Sequence, residues 1–213
     1  MEKWNFRDCT TEQLDETFDL EQVISLSLLE EWLEASEEIT ELEKNILLFY
    51  QSQLILNHAN WNEQELIQNF IGPVLALVQF TTPKSNAFSE RPLKYTFPNG
   101  IELIGEVDGL IAGGKKKPKV PYCCIQEFKK ENDAKGDPTG QALSAMLVAQ
   151  ALNNDGLAVY GGVIRGQEWS FILLEGNQYA VSLEFNAAKN ELFQIFQILK
   201  RLKKNVFQRI DII

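Results

Sequence analysis

The chain has 213 residues, enough for one sizeable core and, by length, one domain or at most two small ones; its 45% apolar and 23% charged residues are an ordinary globular composition. No apolar run approaches the roughly 20 residues that span a bilayer, so no membrane partner is expected. The net charge of −10 speaks against nucleic acid only in bulk, because residues 1–43 hold 14 acids and two bases while the remainder holds 16 acids and 18 bases, and a balanced region can still hold phosphate through a local basic patch.

The opening Met1-Glu2-Lys3-Trp4-Asn5 has neither a basic nor an apolar segment and does not read as a secretion signal. Three cysteines, two of them adjacent (Cys123, Cys124), form no disulfide framework or zinc spacing, so a reducing, cytoplasmic setting is the expectation. Three helical stretches come first. Leu20–Leu33 places Val23, Ile24, Leu28 and Trp32 near helical spacing. Ser36 is an N-cap candidate for a second helix reaching about Asn57, with Leu42, Ile46, Phe49 and Tyr50 along one stripe. A third runs from Trp61 to about Gln79, opening at Asn62, and Pro73 should kink it or start a new turn. The acids of the first two helices read as a solvated face, or as a cover over a basic groove, or as a surface for a protein partner.

The periodicity then changes. Leu93–Phe97 and Ile101–Ala112 read as strands joined by a turn at Pro98-Asn99-Gly100. After a basic tip, Gly113 to Lys119, a third strand covers Tyr122–Lys130. Asp137 and Pro138 supply an N-cap and a first-turn proline for a helix over Thr139 to about Asn153. Leu157–Arg165, Trp169–Leu174 and Tyr179–Leu183 read as further strands, and a last helix runs from Ala187 to about Lys204. This order predicts a single α/β domain over residues 1–213, a mixed sheet with helices on both faces, with residues 1–60 as an acidic helical extension and 61–213 as the core.

The chemistry-bearing segment is Gly105-Glu106-Val107-Asp108-Gly109, followed after a loop by Ile125-Gln126-Glu127-Phe128-Lys129-Lys130. Strand side chains alternate, so Glu127 and Lys129 share a face and Phe128 points the other way. With Asp108 near the end of the neighbouring strand, two carboxylates converge; in a partly buried site they do not both stay ionised without a cation. Hard oxygen donors with few protein contacts suit Mg²⁺.

These residues resemble the PD-(D/E)XK nuclease superfamily, over roughly Asn62 to Leu183. The resemblance implies a restriction endonuclease-like α/β/α sandwich and a Mg²⁺- or Mn²⁺-dependent phosphodiesterase acting on nucleic acid, DNA ahead of RNA. It implies that Asp108, Glu127 and the Phe128 carbonyl hold the metal, with Glu65 reaching it through water. Lys129 would orient the attacking water and stabilise charge in the transition state, and Gln141 would be a polar helper. Glu63 rivals Glu65 for its role, and Val107 stands where many members carry proline. Members often act as dimers, so a homodimer is a further expectation.

Plainer readings stand beside these. Asp108-Gly109 is also a turn signal, Glu127 and Lys129 a same-face ion pair, Glu65 a solvated helix residue, and Gln141 an idle first-turn polar group. Lys115, Lys116, Lys117 and Lys119 read as soluble hairpin chemistry or, with Lys200–Lys204, as nucleic-acid backbone contacts. His58 reads as structural or surface, and the paired cysteines as buried. The competing function is a catalytically inactive member of the same fold, serving as a binding or assembly module.

Overall fold

The computed structural model describes residues 2–130 and 136–212. In chain order the elements are β1 (Glu2–Asn5), α1 (Thr11–Phe18), β2 (Glu21–Gln22), α2 (Ser27–Leu33), α3 (Glu41–Asn57), α4 (Glu63–Leu66), α5 (Gly72–Val78), β3 (Ser85–Thr96), β4 (Ile101–Gly113), β5 (Lys119–Lys129), α6 (Pro138–Asn153), β6 (Val159–Arg165), β7 (Glu168–Glu175), β8 (Gln178–Val181), β9 (Phe185–Asn186) and α7 (Glu191–Ile212). The strands form one mixed sheet in the order β1-β4-β5-β6-β7-β8-β2, with β3 also on β4 and β9 also on β7. β5 and β6 run parallel, joined through α6, while β3–β4, β4–β5, β6–β7 and β7–β8 are antiparallel.

Helices cover both faces of this sheet, each closing its own apolar core. On one face α6 packs with α1 against Leu103, Val107, Ile125, Val163 and Ile172. On the other, α2 to α5 and α7 pack against Ile111, Phe128, Ile164, Trp169 and Phe171. Strand alternation explains the division: in β7, Trp169, Phe171 and Leu173 point to one core, Ile172 and Leu174 to the other. The expected α/β architecture with a mixed sheet is therefore present. No helix among the described residues is long and apolar enough to cross a membrane.

The first 22 residues depart from the expected helical extension. β1 pairs parallel with Ile101–Ile104 of β4, and β2 pairs parallel with Gln178–Tyr179 of β8. The N-terminal segment thus straps the sheet from one end to the other, covering edges that would otherwise expose unpaired backbone groups. Between the two strands it crosses α6, where Asp137 serves two helices. Its carboxylate accepts the Gly140 amide at 3.0 Å to cap α6, and the Thr11 amide at 2.8 Å in the first turn of α1. Gly140 is required at that crossing, because a Cβ there would lie 2.6 Å from the Cys9 carbonyl oxygen.

The second helix starts four residues later than a Ser36 cap predicts. Thr40 caps α3 in a reciprocal box with Glu43. The preceding link stays extended because Glu37 is buried against α7, where Arg201 (2.7 Å) and Lys204 take its two carboxylate oxygens. Lys200 takes Glu43 at 2.9 Å. Glu37 and Glu43 thus lie over basic residues of α7, whereas Glu30, Glu31, Glu34, Glu38 and Glu41 stay exposed as a solvated face. The contacts engage three members of the Lys200–Lys204 cluster otherwise offered to a nucleic-acid backbone. Lys203 meanwhile donates to the Val78 carbonyl at 2.9 Å. Further on, the helix expected to bend at Pro73 contains a π-turn over Ile67–Ile71, directly before Gly72 and Pro73.

Candidate active site

The site forms where β4 loses one neighbour and gains another. β3 occupies one edge of β4 along its length, so β5 and β1 must share the other: β5 pairs with residues 109–113 and β1 with 101–104. Gly105–Asp108 lie in the fork between them. Asp108 fills it with its side chain, whose Oδ2 accepts the Phe128 amide at 2.7 Å. The carboxylate takes the donor that a continued ladder would have paired. Lys129 presents its carbonyl to Gly166, beyond the β6 end, and successive strand carbonyls point to opposite edges. The Phe128 carbonyl therefore faces β4 and the fork, as its amide does.

The in-out alternation expected through β4 slips by one residue here. Leu103 and Val107 face the α6-side core, but so do Leu110 and Ala112. On β3 the same slip separates Phe88 from Leu93, and Glu90 between them adopts a left-handed φ of 51°. Asp108 sits at the slip, followed by Gly109 inside the continuing strand rather than in a turn. A Cβ at Gly109 would approach Gln126 Oε1 to 2.6 Å and the Phe128 ring to 3.2 Å, so glycine lets β5 close against β4 immediately beside the carboxylate.

Glu127 and Lys129 stand side by side on the α6 face, with Lys129 Nζ 2.6 Å from Glu127 Oε1. Phe128 points into the opposite core. Glu127 is only 7% exposed, and its carboxyl is pushed up to about 7 by burial first and the charge of Asp108 second, against the opposing pull of Lys129. Asp108 is also raised, by burial, against the Phe128 hydrogen bond and Lys129, with Glu90 adding to the rise. Burial alone would lower the Lys129 ammonium, but Glu127, Asp108 and Glu63 more than offset it and the net shift is upward. The cluster therefore carries more negative potential than one lysine neutralises.

The expected residues divide. Asp108, Glu127, Lys129 and the Phe128 backbone come together. Glu65 does not: it is exposed, and its Oε2 accepts the Asn62 amide at 2.8 Å as half of the box that caps α4. That carboxylate is engaged at its own helix start, and its charge is not among those acting on Asp108, Glu127 or Lys129. Glu63, one turn-face round, is the helix acid whose charge acts on both Glu127 and Lys129. Gln141 is buried in the first turn of α6, with Nε2 packed against Gly136. The lysine tip after β4 begins seven residues beyond Asp108, roughly 20 Å along an extended strand, so it is no part of this cluster. His58 lies at the end of α3. Cys123 and Cys124 are free and buried; burial pushes the Cys123 thiol up to about 12. Glu90 and β1 had escaped the sequence reading, although alternating Lys3-Trp4-Asn5-Phe6 is a short strand signal.

Among the described residues no group of three or more His, Cys, Asp and Glu side chains is assembled to hold an ion alone. The Asp108 carboxylate and the Phe128 carbonyl at the fork, with the Glu127 carboxylate near enough to feel the charge of Asp108, nevertheless fit a hard divalent cation that keeps several waters and takes further oxygens from phosphate. Their surplus negative charge is the feature that such a cation would relieve. No protein-family model matches the chain, and no curated protein matches it either.

Proposed function

We propose that the protein is a metal-dependent phosphodiesterase of the PD-(D/E)XK type, a nuclease with a restriction endonuclease-like sandwich, acting on nucleic acid and on DNA ahead of RNA. One observation carries the reading: Asp108 holds the Phe128 amide across the β4–β5 fork while Glu127 and Lys129 flank that same residue. Asp108, Glu127 and the Phe128 carbonyl would hold Mg²⁺ or Mn²⁺. When bound, the ion supplies the positive charge that polarises a phosphodiester and makes water a better nucleophile at neutral pH.

The chain's own groups supply the rest. Lys129, kept cationic by the surrounding acids, hydrogen-bonds the incoming water and offers charge where the phosphorus oxygens grow more negative. Glu127, with its carboxyl near 7, shares that ammonium and holds it in register. Phe128 anchors both by sinking into the far core. Glu63, whose charge acts on Glu127 and Lys129, rivals Glu65 for the water-mediated contact to the ion. Gln141, buried in the first turn of α6, would be the polar helper that the resemblance implies.

The test incubates wild type, Lys129→Ala and Asp108→Asn with supercoiled DNA, linear DNA and RNA, with Mg²⁺ or Mn²⁺, beside calorimetric titration of the ions alone. Cleavage by wild type and not by the variants supports the proposal. A folded wild type that neither cleaves nor binds either ion overturns it in favour of a non-catalytic module.

A further inference from the structure

The outer face of α3 remains open. It carries Leu42, Leu48, Phe49, Ile55 and Leu56, between 43% and 72% exposed, while Leu47 and Leu54 on its inner face are fully buried. The inner side is fixed in place, with Gln51 donating to the Ala187 and Lys189 carbonyls at 2.8 and 2.7 Å. A helix apolar all round is normally covered all round. Here only half of it is.

We infer that this face is covered by the same face of a second copy, in an antiparallel two-fold pair of α3 helices. The spacing is the first reason. Leu42, Phe49 and Leu56 recur every seven residues, which keeps them on one line between packed helices. Phe49 lies midway, so reversing the helix leaves the line unchanged. Leu42 meets Leu56 of the second copy, and the two Phe49 rings meet on the axis, as a self-complementary interface requires.

Charge is the second reason. From Asn45 to Asn57 the helix has no acidic or basic residue, in a chain of net charge −10. Two copies of so acidic a molecule meet with least repulsion on such a neutral face. The charged residues of α3 are confined to its first turn, where Glu43 is already held by Lys200. Area is the third. With side chains of this size, a symmetric pair removes on the order of 1,000 Å² of apolar surface from water, and the polar flanks bring it to the roughly 1,200 Å² at which specific interfaces begin. This inference is independent of the proposed metal site.

Sedimentation velocity across a micromolar concentration series should show a reversible dimer, which Phe49→Glu weakens at least ~100-fold, with an unchanged circular dichroism spectrum because Phe49 lies outside the core. Phe49→Cys should form a disulfide-linked dimer under mild oxidation, since paired residues on a two-fold axis are adjacent. Leu183→Cys, at an equally open but isolated position (89% exposed), should not, and the three native cysteines are buried. A wild type that stays monomeric at roughly 100 µM, a dimer that survives Phe49→Glu, or no cross-link through position 49 overturns the inference.

Discussion

Asp108 Oδ2 and the Phe128 amide nitrogen lie 2.7 Å apart, and this bond closes the fork where β5 leaves β4. Its two roles, structural and electrostatic, separate by substitution. Asparagine keeps an oxygen that accepts the amide, so Asp108→Asn should fold with nearly wild-type stability. It loses the charge, so divalent-ion binding should disappear and any cleavage should drop on the order of 10²–10³-fold. Asp108→Ala should also lose about 1–3 kcal/mol in denaturant melts, because it strands a buried donor. Equal destabilisation by both variants would show that charge, not the bond, holds the fork.

Glu127 should make the metal-free protein less stable at alkaline pH. Its folded pKa, about 7, lies above the ordinary carboxyl value of 4.5, so the folded state keeps a proton that the unfolded chain releases. Stability therefore falls as pH rises between those values, and the loss is complete above the upper one. In chelator, Glu127→Gln should melt higher than wild type at pH 8, by about 1–3 kcal/mol, and no higher near pH 4. The same variant should lose the thermal shift produced by Mg²⁺ or Mn²⁺. A lower melt at pH 8 would mean that the Lys129 ion pair outweighs burial.

The Glu37 contacts should fail in acid. Lys204 first, then Arg201, hold its carboxyl below the usual carboxylate range. A depressed folded pKa contributes stability above the unfolded value, lost as pH falls through the folded one. Glu37→Gln should cost about 1–2 kcal/mol at pH 7, since both cations are partly exposed and rehydrate. The difference from wild type should vanish near pH 3, which thermal melts across that range would measure.

Gly140→Ala should loosen the N-terminal strap. The new methyl meets the Cys9 carbonyl oxygen and the Thr10 backbone, at 2.6 and 2.8 Å, and backbone cannot rotate aside. A loss of about 1–3 kcal/mol is expected, with faster hydrogen exchange over residues 2–22 than elsewhere. Uniform exchange across the sheet would mean that the strap is not a separate unit.

Much of the α/β order was readable along the chain. The β3–β4 turn, the Asp137 cap, the α6 helix and the strands after it follow from local signals such as glycine at φ 85° in position 100 and alternation in β7. Within the site, the pairing of Glu127 with Lys129 follows from strand period alone. Glu65 shows the limit. Two glutamates two residues apart on one short helix have equal claims until the Asn62 cap takes one of them.

What the sequence determined by itself is whatever depends on near neighbours: strand faces, caps, turns, and the chemical make-up of Asp108, Glu127 and Lys129. Only the tertiary structure decided the fork. It arises because β1, about a hundred residues earlier in the chain, takes the edge of β4 that β5 vacates, and because the strand phase slips beside the left-handed Glu90. Edge competition between distant strands leaves no periodic trace in the segment that it shapes.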